Sequence, residues 1–151
     1  MKTNIRKSTI ADFEQVYVLL PQLWPDAILN KNKLRHVFAR ALNSDYHHYL
    51  CAIDKKVVVG FCSLSIRNSL WQQGFIAHID EIIVESAYRG HGIGTQMILK
   101  AMKIAKQKGC TRLELDSAFH RGKAHNFYKK IGFENRAFLF SMPLEVKIEK
   151  K

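Results

Sequence analysis

The glycine-rich stretch at residues 89–94 constrains the fold of this chain more than any other feature. It reads Arg-Gly-His-Gly-Ile-Gly and joins an apolar, β-branched segment, Gly74–Glu85, to an amphipathic segment from about Gly92 to Lys108. A further strand-like segment follows at Thr111–Leu115. A strand, a helix and a second strand in this order require a right-handed crossover between parallel strands. The sequence therefore predicts an α/β fold that contains a parallel strand pair.

Hydrophobic periodicity predicts the elements around this unit. Apolar residues at helical spacing predict one helix that begins after Thr9 and ends near Pro21, and another over about Asn30–Asn43. Segments rich in β-branched and aromatic residues predict strands at Asn4–Lys7, Tyr46–Ile53, Val57–Ile66 and Phe133–Met142, with a short helix at Ala124–Ile131. We therefore expect the order β-α-α-β-β-β-α-β-α-β, a mixed and mostly antiparallel sheet with helices on both faces.

Length and charge set the domain count and the class of partner. A chain of 151 residues suits one domain, which we expect over residues 1–145, followed by a basic tail at 146–151. Lys and Arg outnumber Asp and Glu by 24 to 13, and this excess favours nucleic acid, an anionic membrane surface or a phosphate-bearing cofactor. No apolar run approaches the ~18 residues that span a bilayer, and the first residues lack a signal peptide's apolar stretch. We expect a cytoplasmic protein with no membrane partner.

The cysteine and histidine positions give no reason to expect a disulfide framework or a metal site. No Cys-x-x-Cys pair occurs among the three cysteines, so we expect buried free thiols. The closest histidines are adjacent, at 47 and 48, or lie at 120 and 125, rather than at the i, i+4 spacing that places two ligands on one helix face.

The glycine stretch itself predicts an anion site. Backbone N–H groups at the start of a helix lack intrahelical partners, and the helix dipole adds partial positive charge there. Glycines at 90, 92 and 94 let a pyrophosphate approach the backbone, and Arg89 can add a charge-assisted hydrogen bond. A P-loop is excluded because no Lys-Ser or Lys-Thr follows, and the G-x-G-x-G spacing fits a dinucleotide fingerprint poorly. A glycine turn that serves helix packing alone stays open as an alternative.

Two motifs together resemble a known family. Arg89–Gly94 matches the R-x-x-G-x-G acyl-coenzyme A motif of the GNAT N-acetyltransferases, and Ala124–Phe133 is similar to their A-x-x-F-Y-x-x-x-G-F segment. The resemblance covers nearly the whole chain and implies acetyl-CoA as donor, bound where two parallel strands splay apart. Arg121 stands where many members carry Asn. The stretches 120–125 and 138–140 resemble the aminoalkylphosphonate acetyltransferase branch.

The chemistry of acetyl transfer suggests Glu81 as a catalytic base. An alkylamine with a pKa near 10.4 is mostly ammonium at neutral pH and must lose a proton before it attacks a thioester. Regular strand alternation would place Glu81 on one face with Ile79 and Ile83, whose apolar surface raises a carboxyl pKa. His78 and Asp80 would then lie on the opposite face, whereas a β-bulge would exchange the two sets. A solvated or ion-paired carboxylate is the structural alternative.

The resemblance implies the remaining site residues. Tyr128 is the expected general acid that protonates the leaving thiolate, and a core aromatic is its alternative role. Expected cofactor contacts come from Ile83, Val84, Arg89, Gly90, His91, Gly92, Ile93, Gly94, Thr95, Asn126 and Tyr128. Candidate substrate-binding residues are Arg67, His78, His120 and Arg121.

The resemblance implies an N-acetyltransferase that acts on the primary amine of a small molecule, and the basic residues favour an amine that also carries an acidic group. We also expect a homodimer. Protein or peptide amines and aminoglycosides are alternative substrates. The alternative of a different class is a basic module that binds nucleic acid or a partner, with CoA as a regulatory ligand. It is disfavoured because the basic residues are dispersed and no nucleic-acid-binding motif occurs.

Overall fold

A computed structural model describes residues 3–144 of the chain. Residues 3–115 belong to one compact unit and residues 116–144 to a second. The expected basic tail at 146–151 lies outside the described residues, and the single domain over 1–145 stays a prediction.

The first unit contains a five-stranded mixed sheet in the order β1-β2-β3-β4-β5. Its strands are β1 (Asn4–Lys7), β2 (His47–Asp54), β3 (Val57–Ser69), β4 (Gly74–Val84) and β5 (Cys110–Leu115). The first four strands pair antiparallel, and β4 pairs parallel with β5. The tight turn between β2 and β3 places both Lys55 and Lys56 at positive φ, which matches the twist of a two-residue hairpin. The mixed, mostly antiparallel sheet is confirmed.

Three helices accompany this sheet, and a fourth lies in the second unit. They are α1 (Phe13–Leu23), which follows a 3₁₀ turn at Ile10–Asp12, then α2 (Lys31–Leu42), α3 (Ile93–Gln107) and α4 (Gly122–Ile131). The expectation that the first helix ends near Pro21 is wrong, because α1 continues to Leu23 with Pro21 inside it. Proline removes one backbone donor, and the next turn still closes through the hydrogen bond from Trp24 N to Leu20 O, 3.1 Å.

Helices cover both faces of the sheet. Residues from α1, α2 and the sheet form an apolar cluster on one face, which includes Phe13, Val16, Phe38, Cys51, Phe61 and Ile83. The adjacent residue Gly60 must point to the other face, where an added Cβ would lie 3.2 Å from Met97 Cε of α3. Glycine at position 60 therefore permits the close approach of α3 to the sheet.

The final strand expected at Phe133–Met142 is not formed. Residues 133–144 follow α4 without regular secondary structure, and their apolar side chains are largely exposed, with Phe140 at 90%. An apolar run favours a strand only where a neighbouring strand supplies its hydrogen bonds.

Candidate active site

A β-bulge in β4 sets the direction of the Glu81 side chain. Ser63 pairs with Glu81 and the next residue, Leu64, pairs with Ile79, so Asp80 is an extra residue in β4. Successive residues of β3 point to opposite faces, and so do their partners Glu81 and Ile79. The expectation from regular alternation that Glu81 shares a face with Ile79 is therefore wrong. Glu81 lies instead on the face covered by α1 and α2, together with Ile83.

The Glu81 carboxylate is half-buried and held by one buried hydroxyl. Ser63 Oγ donates to Glu81 Oε1 at 2.8 Å and accepts from the Glu81 backbone N at 2.8 Å. Ser63 itself is fully buried. Burial raises the pKa of Glu81 and the charge of Asp80 raises it further, while the hydrogen bond from Ser63 opposes both. The balance favours a carboxyl group that takes up a proton more readily than an exposed glutamate.

The polar half of this sheet face consists of Tyr49, Ser63, Ser65, Arg67, His78, Glu81 and Glu114, which the strand registers place side by side. Within it, His78 Nδ1 lies 2.9 Å from Asp80 Oδ1, and Ser65 Oγ donates to the same oxygen at 3.1 Å. Arg67 Nη2 lies 3.8 Å from Glu114 Oε1, which belongs to the strand β5. The bulge thus brings His78 to the same face as Glu81, and the polar half offers both carboxylates and a cation.

The parallel strand pair opens next to this surface. Pairing between β4 and β5 stops at Ile79 and Leu115, whereas β4 continues to Val84. Residues 80–84 therefore keep β3 on one side and leave the other edge of the strand without β5. The splayed parallel pair expected from the sequence is confirmed.

The glycine stretch forms an open turn at the start of α3. Gly90 and Gly92 have φ of +83° and +82°, and Gly92 is the N-cap residue of α3. A Cβ added to either glycine would meet no atom within 4 Å. An anionic group can therefore approach the first N–H groups of α3 directly, and a coenzyme pyrophosphate fits this turn.

A glutamine of α1, Gln22, is hydrogen-bonded to the residues that precede this turn. Gln22 Nε2 donates to Glu85 Oε2 at 2.6 Å, and Gln22 Oε1 accepts from Ser86 N at 3.2 Å. Arg89 Nε donates to the Val84 carbonyl at 3.0 Å. The expected phosphate ligand Arg89 is exposed but tied back to the end of β4.

The other expected cofactor residues of the first unit differ in what they expose. The Ile83 and Ile93 side chains are buried, at 6% and 2% exposure, so only their backbone groups are available to a ligand. His91 is exposed, and Gly94 and Thr95 are half-buried in the first turn of α3.

The second unit carries four of the expected site residues. Asn126 and His120 are exposed, while Arg121 is half-buried and is the N-cap residue of α4. The Tyr128 ring lies 5.5 Å from the Phe127 ring and 5.9 Å from the Phe133 ring, between ring centroids. These contacts fit a ring held in place by its neighbours.

Sequence reasoning missed Ser63, Gln22 and Tyr49. Ser63 had a usable signal, because it is the first polar residue after the apolar run Val57–Cys62. Gln22 and Tyr49 had none, since their importance depends on which elements pack beside them.

Two further findings concern residues 3–144 only. None of their helices has the length and apolar character needed to cross a membrane. Within the same range, no group of three or more His, Cys, Asp or Glu residues is arranged to hold a metal ion.

Comparison with known proteins agrees with this geometry. The model of the acetyltransferase (GNAT) family matches residues 13–133. The aminoalkylphosphonate N-acetyltransferase of Salmonella typhimurium is 32% identical over 141 residues, covering 93% of this chain and 91% of that protein. The glucosamine 6-phosphate N-acetyltransferase of Trypanosoma brucei brucei is 36% identical over 77 residues, 50% of each chain. In fold, the chain is similar to an aminoglycoside N-acetyltransferase solved in complex with CoA, with a TM-score of 0.85 and 20% identity over 96% of both chains.

Proposed function

Because the chain belongs to the GNAT family of acetyltransferases and is therefore an acetyl-CoA-dependent enzyme, we propose that it acetylates the primary amine of a small molecule that also carries an acidic group. The observation that carries this proposal is the polar half of the sheet face, where the half-buried Glu81 and the cationic Arg67 lie on the same surface. A carboxylate suits the amine, and a guanidinium suits an acidic group of the same molecule.

Glu81 is the proposed general base. An ammonium must lose its proton before the nitrogen attacks the acetyl carbonyl, and a base with a raised pKa takes up that proton efficiently near neutral pH. Burial supplies the raised pKa, and the Ser63 hydroxyl fixes the direction of the carboxylate. Glu81 takes the proton directly or through a water molecule.

The cofactor contacts are proposed as the family motifs suggest. The backbone of residues 89–95 binds the pyrophosphate, and the free edge of β4 near Ile83 and Val84 binds the rest of acetyl-CoA. Asn126 and Tyr128 of the second unit stay predicted cofactor contacts, and Tyr128 is the proposed donor of a proton to the sulfur of the departing coenzyme. The aromatic neighbours of Tyr128 support this role, because they limit the ring to few orientations.

The substrate class is supported by chemistry shared among the relatives. An aminoalkylphosphonate and a glucosamine 6-phosphate each combine an amine with a phosphorus oxyanion, and both stand in the names of similar enzymes. Arg67 on β3 is the proposed ligand of such an acidic group, and His78 is proposed to contact the acceptor. His120 and Arg121 of the second unit stay predicted substrate-binding residues. The homodimer and the cytoplasmic location stay predictions.

The test is a panel of paired amines that differ only in an acidic group, such as 2-aminoethylphosphonate and propylamine. Release of CoA is followed with a thiol reagent, and peptide amines and aminoglycosides complete the panel. We expect kcat/KM to be at least about tenfold higher for the acidic member of a pair, since one charge-assisted contact contributes about 1.4 kcal/mol or more. Equal values within the pairs, or turnover of peptides alone, would contradict the proposed substrate class.

A further inference from the structure

One row across the sheet holds three polar side chains in direct register. Tyr49 of β2 pairs with Ser63 of β3, which pairs in turn with Glu81 of β4. Directly opposed residues of paired strands project to the same face. Neighbouring strands lie about 4.8 Å apart, so the Cα atoms of Tyr49 and Glu81 are separated by about 10 Å, with Ser63 between them. The row forms a shallow floor with a phenol on one side and a carboxylate on the other.

The Tyr49 ring is fixed by the apolar cluster. Its centroid lies 5.3 Å from that of Phe38 and 5.3 Å from that of Phe61, the latter in edge-to-face geometry. The aromatic contacts hold the ring on the α1 and α2 side, at the border of the polar half.

The Tyr49 hydroxyl has no hydrogen-bond partner among residues 3–144. The Tyr49 side chain is half-buried and its hydroxyl is not enclosed by the protein, so a ligand can reach the oxygen. Burial raises the pKa of Tyr49 to about 12, and the negative charges of Glu81 and Asp80 contribute to the shift. The phenol therefore keeps its proton over the physiological pH range, close enough to Glu81 to sense its charge.

We propose that the Tyr49 hydroxyl binds the acceptor nitrogen opposite Glu81, so that Tyr49 selects for primary amines. This inference rests on the proposed function. The ammonium gives one proton to the Glu81 carboxylate. One N–H of the resulting neutral amine then donates to the Tyr49 oxygen, and the nitrogen lone pair stays available for the acetyl carbonyl. Tyr49 neither gains nor loses a proton.

A selectivity follows from the count of N–H groups. A neutral primary amine has two, one for the Glu81 side and one for Tyr49, whereas an N-methyl amine has a single N–H and places a methyl group against one of the two partners. The enzyme should therefore prefer 2-aminoethylphosphonate over its N-methyl derivative, and the preference should depend on the Tyr49 hydroxyl.

The test compares Tyr49→Phe with the matched variant Tyr17→Phe. Tyr17 packs on Phe13 in the same aromatic cluster, with ring centroids 6.0 Å apart, so both variants delete one hydroxyl from one cluster. For Tyr49→Phe we expect kcat/KM for 2-aminoethylphosphonate to fall about tenfold to hundredfold. The KM for acetyl-CoA should stay at the wild-type value, and the preference over the N-methyl amine should largely disappear. Tyr17→Phe should keep wild-type kinetics, and the two thermal midpoints should agree.

Several outcomes would overturn the inference. If Tyr49→Phe keeps the wild-type preference for the primary amine, the inference is overturned and the proposed function is unaffected. The same conclusion follows if Tyr49→Phe loses acetyl-CoA affinity and thermal stability in parallel. If Tyr49→Phe does not fold, the wild-type enzyme decides, because equal rates for the primary and N-methyl amines exclude a Tyr49 contact. If no amine of the panel is acetylated, or bound in calorimetry with CoA present, the proposed function fails and the inference fails with it.

Discussion

The two halves of one sheet face differ sharply although the same strands build them. Phe61 and Ile83 pair across β3 and β4 and belong to the apolar cluster under α1 and α2. Two residues further along β3, the pair is Ser63 and Glu81, and the surface is polar. The helices bury the first half, whereas the second half carries hydrogen-bonded and charged side chains.

The proposed base lies at the boundary between these two halves. A carboxyl group in the middle of the polar half would be solvated, and one inside the apolar cluster would be costly to ionise. Glu81 lies at the border, where burial raises its pKa and one hydroxyl still stabilises the anion. We infer that the apolar half determines stability, while the polar half determines reactivity with the amine.

The largest effect is expected from Glu81→Gln, which keeps the size of the side chain and removes the proton acceptor. We expect kcat/KM to fall roughly 10² to 10⁴-fold near neutral pH for an amine of pKa near 10. The defect should shrink as the amine pKa falls, because solution then supplies the neutral amine. The measurement is kcat/KM over amines of graded pKa, with thermal unfolding as the control. A constant defect across that series would mean that Glu81 is not the base.

Phe13→Ala tests the apolar half. Phe13 is fully buried and packs on Phe38 with ring centroids 5.5 Å apart. Truncation should lower the free energy of unfolding by about 3–5 kcal/mol, from lost burial and the cavity that remains. Denaturant unfolding measures this loss, and kcat of the folded enzyme should stay near the wild-type value. A large loss of kcat at unchanged stability would contradict the division between the halves.

Gly92→Ala should weaken cofactor binding without changing either half of the sheet face. We expect the KM for acetyl-CoA to rise about tenfold, equivalent to about 1.4 kcal/mol, because the new Cβ occupies the space through which the pyrophosphate approaches. The KM for the amine should not change.

Gly109→Ala is the matched control for the backbone strain. Gly109 has φ of +79°, and an added Cβ there would also meet nothing within 4 Å, but it lies beyond the other end of α3. If both variants raise the KM for acetyl-CoA equally, strain rather than cofactor approach explains the effect.

The sequence predicted those elements whose signal is local. Strand periodicity located β1 to β5 to within a few residues. The glycine stretch placed the start of α3 because glycine is the residue that adopts a positive φ at low cost.

The failures concern properties that depend on a neighbour. A bulge exists only relative to the paired strand, so alternation along β4 alone could not reveal that Asp80 is the extra residue opposite Ser63 and Leu64. The apolar residues 138–140 resembled a strand by composition, yet a strand also needs hydrogen-bonding partners. The role of Ser63 beside Glu81 likewise depends on strand register.

Ser63→Ala should produce the smallest effect and the most specific one. The Ser63 hydroxyl stabilises the Glu81 carboxylate, so its removal leaves burial and Asp80 to raise the pKa of Glu81 further. The proposed mechanism needs the carboxylate, so the acid limb of the pH profile of kcat/KM should move to higher pH by up to about one unit. Above that limb the rates should converge. The matched control is Ser65→Ala, which removes the hydrogen bond to Asp80 Oδ1 and leaves that to Glu81 intact.

Ser63→Ala should also change how the free energy of unfolding depends on pH. Because the pKa of Glu81 is higher in the folded than in the unfolded chain, the folded chain holds the proton more tightly. The protonated Glu81 contributes its full stabilisation at pH values below the pKa that it has in the unfolded chain. This stabilisation is lost as the pH rises through the pKa that Glu81 has in the folded chain. Ser63→Ala raises the pKa of Glu81 in the folded chain and so widens the pH range over which this stabilisation is lost. The free energy of unfolding of the variant should therefore keep falling to a higher pH than that of the wild type. In the double variant Ser63→Ala with Glu81→Gln this dependence should be absent. If it persists there, or if Ser65→Ala moves the acid limb as far, the titrating group is not Glu81.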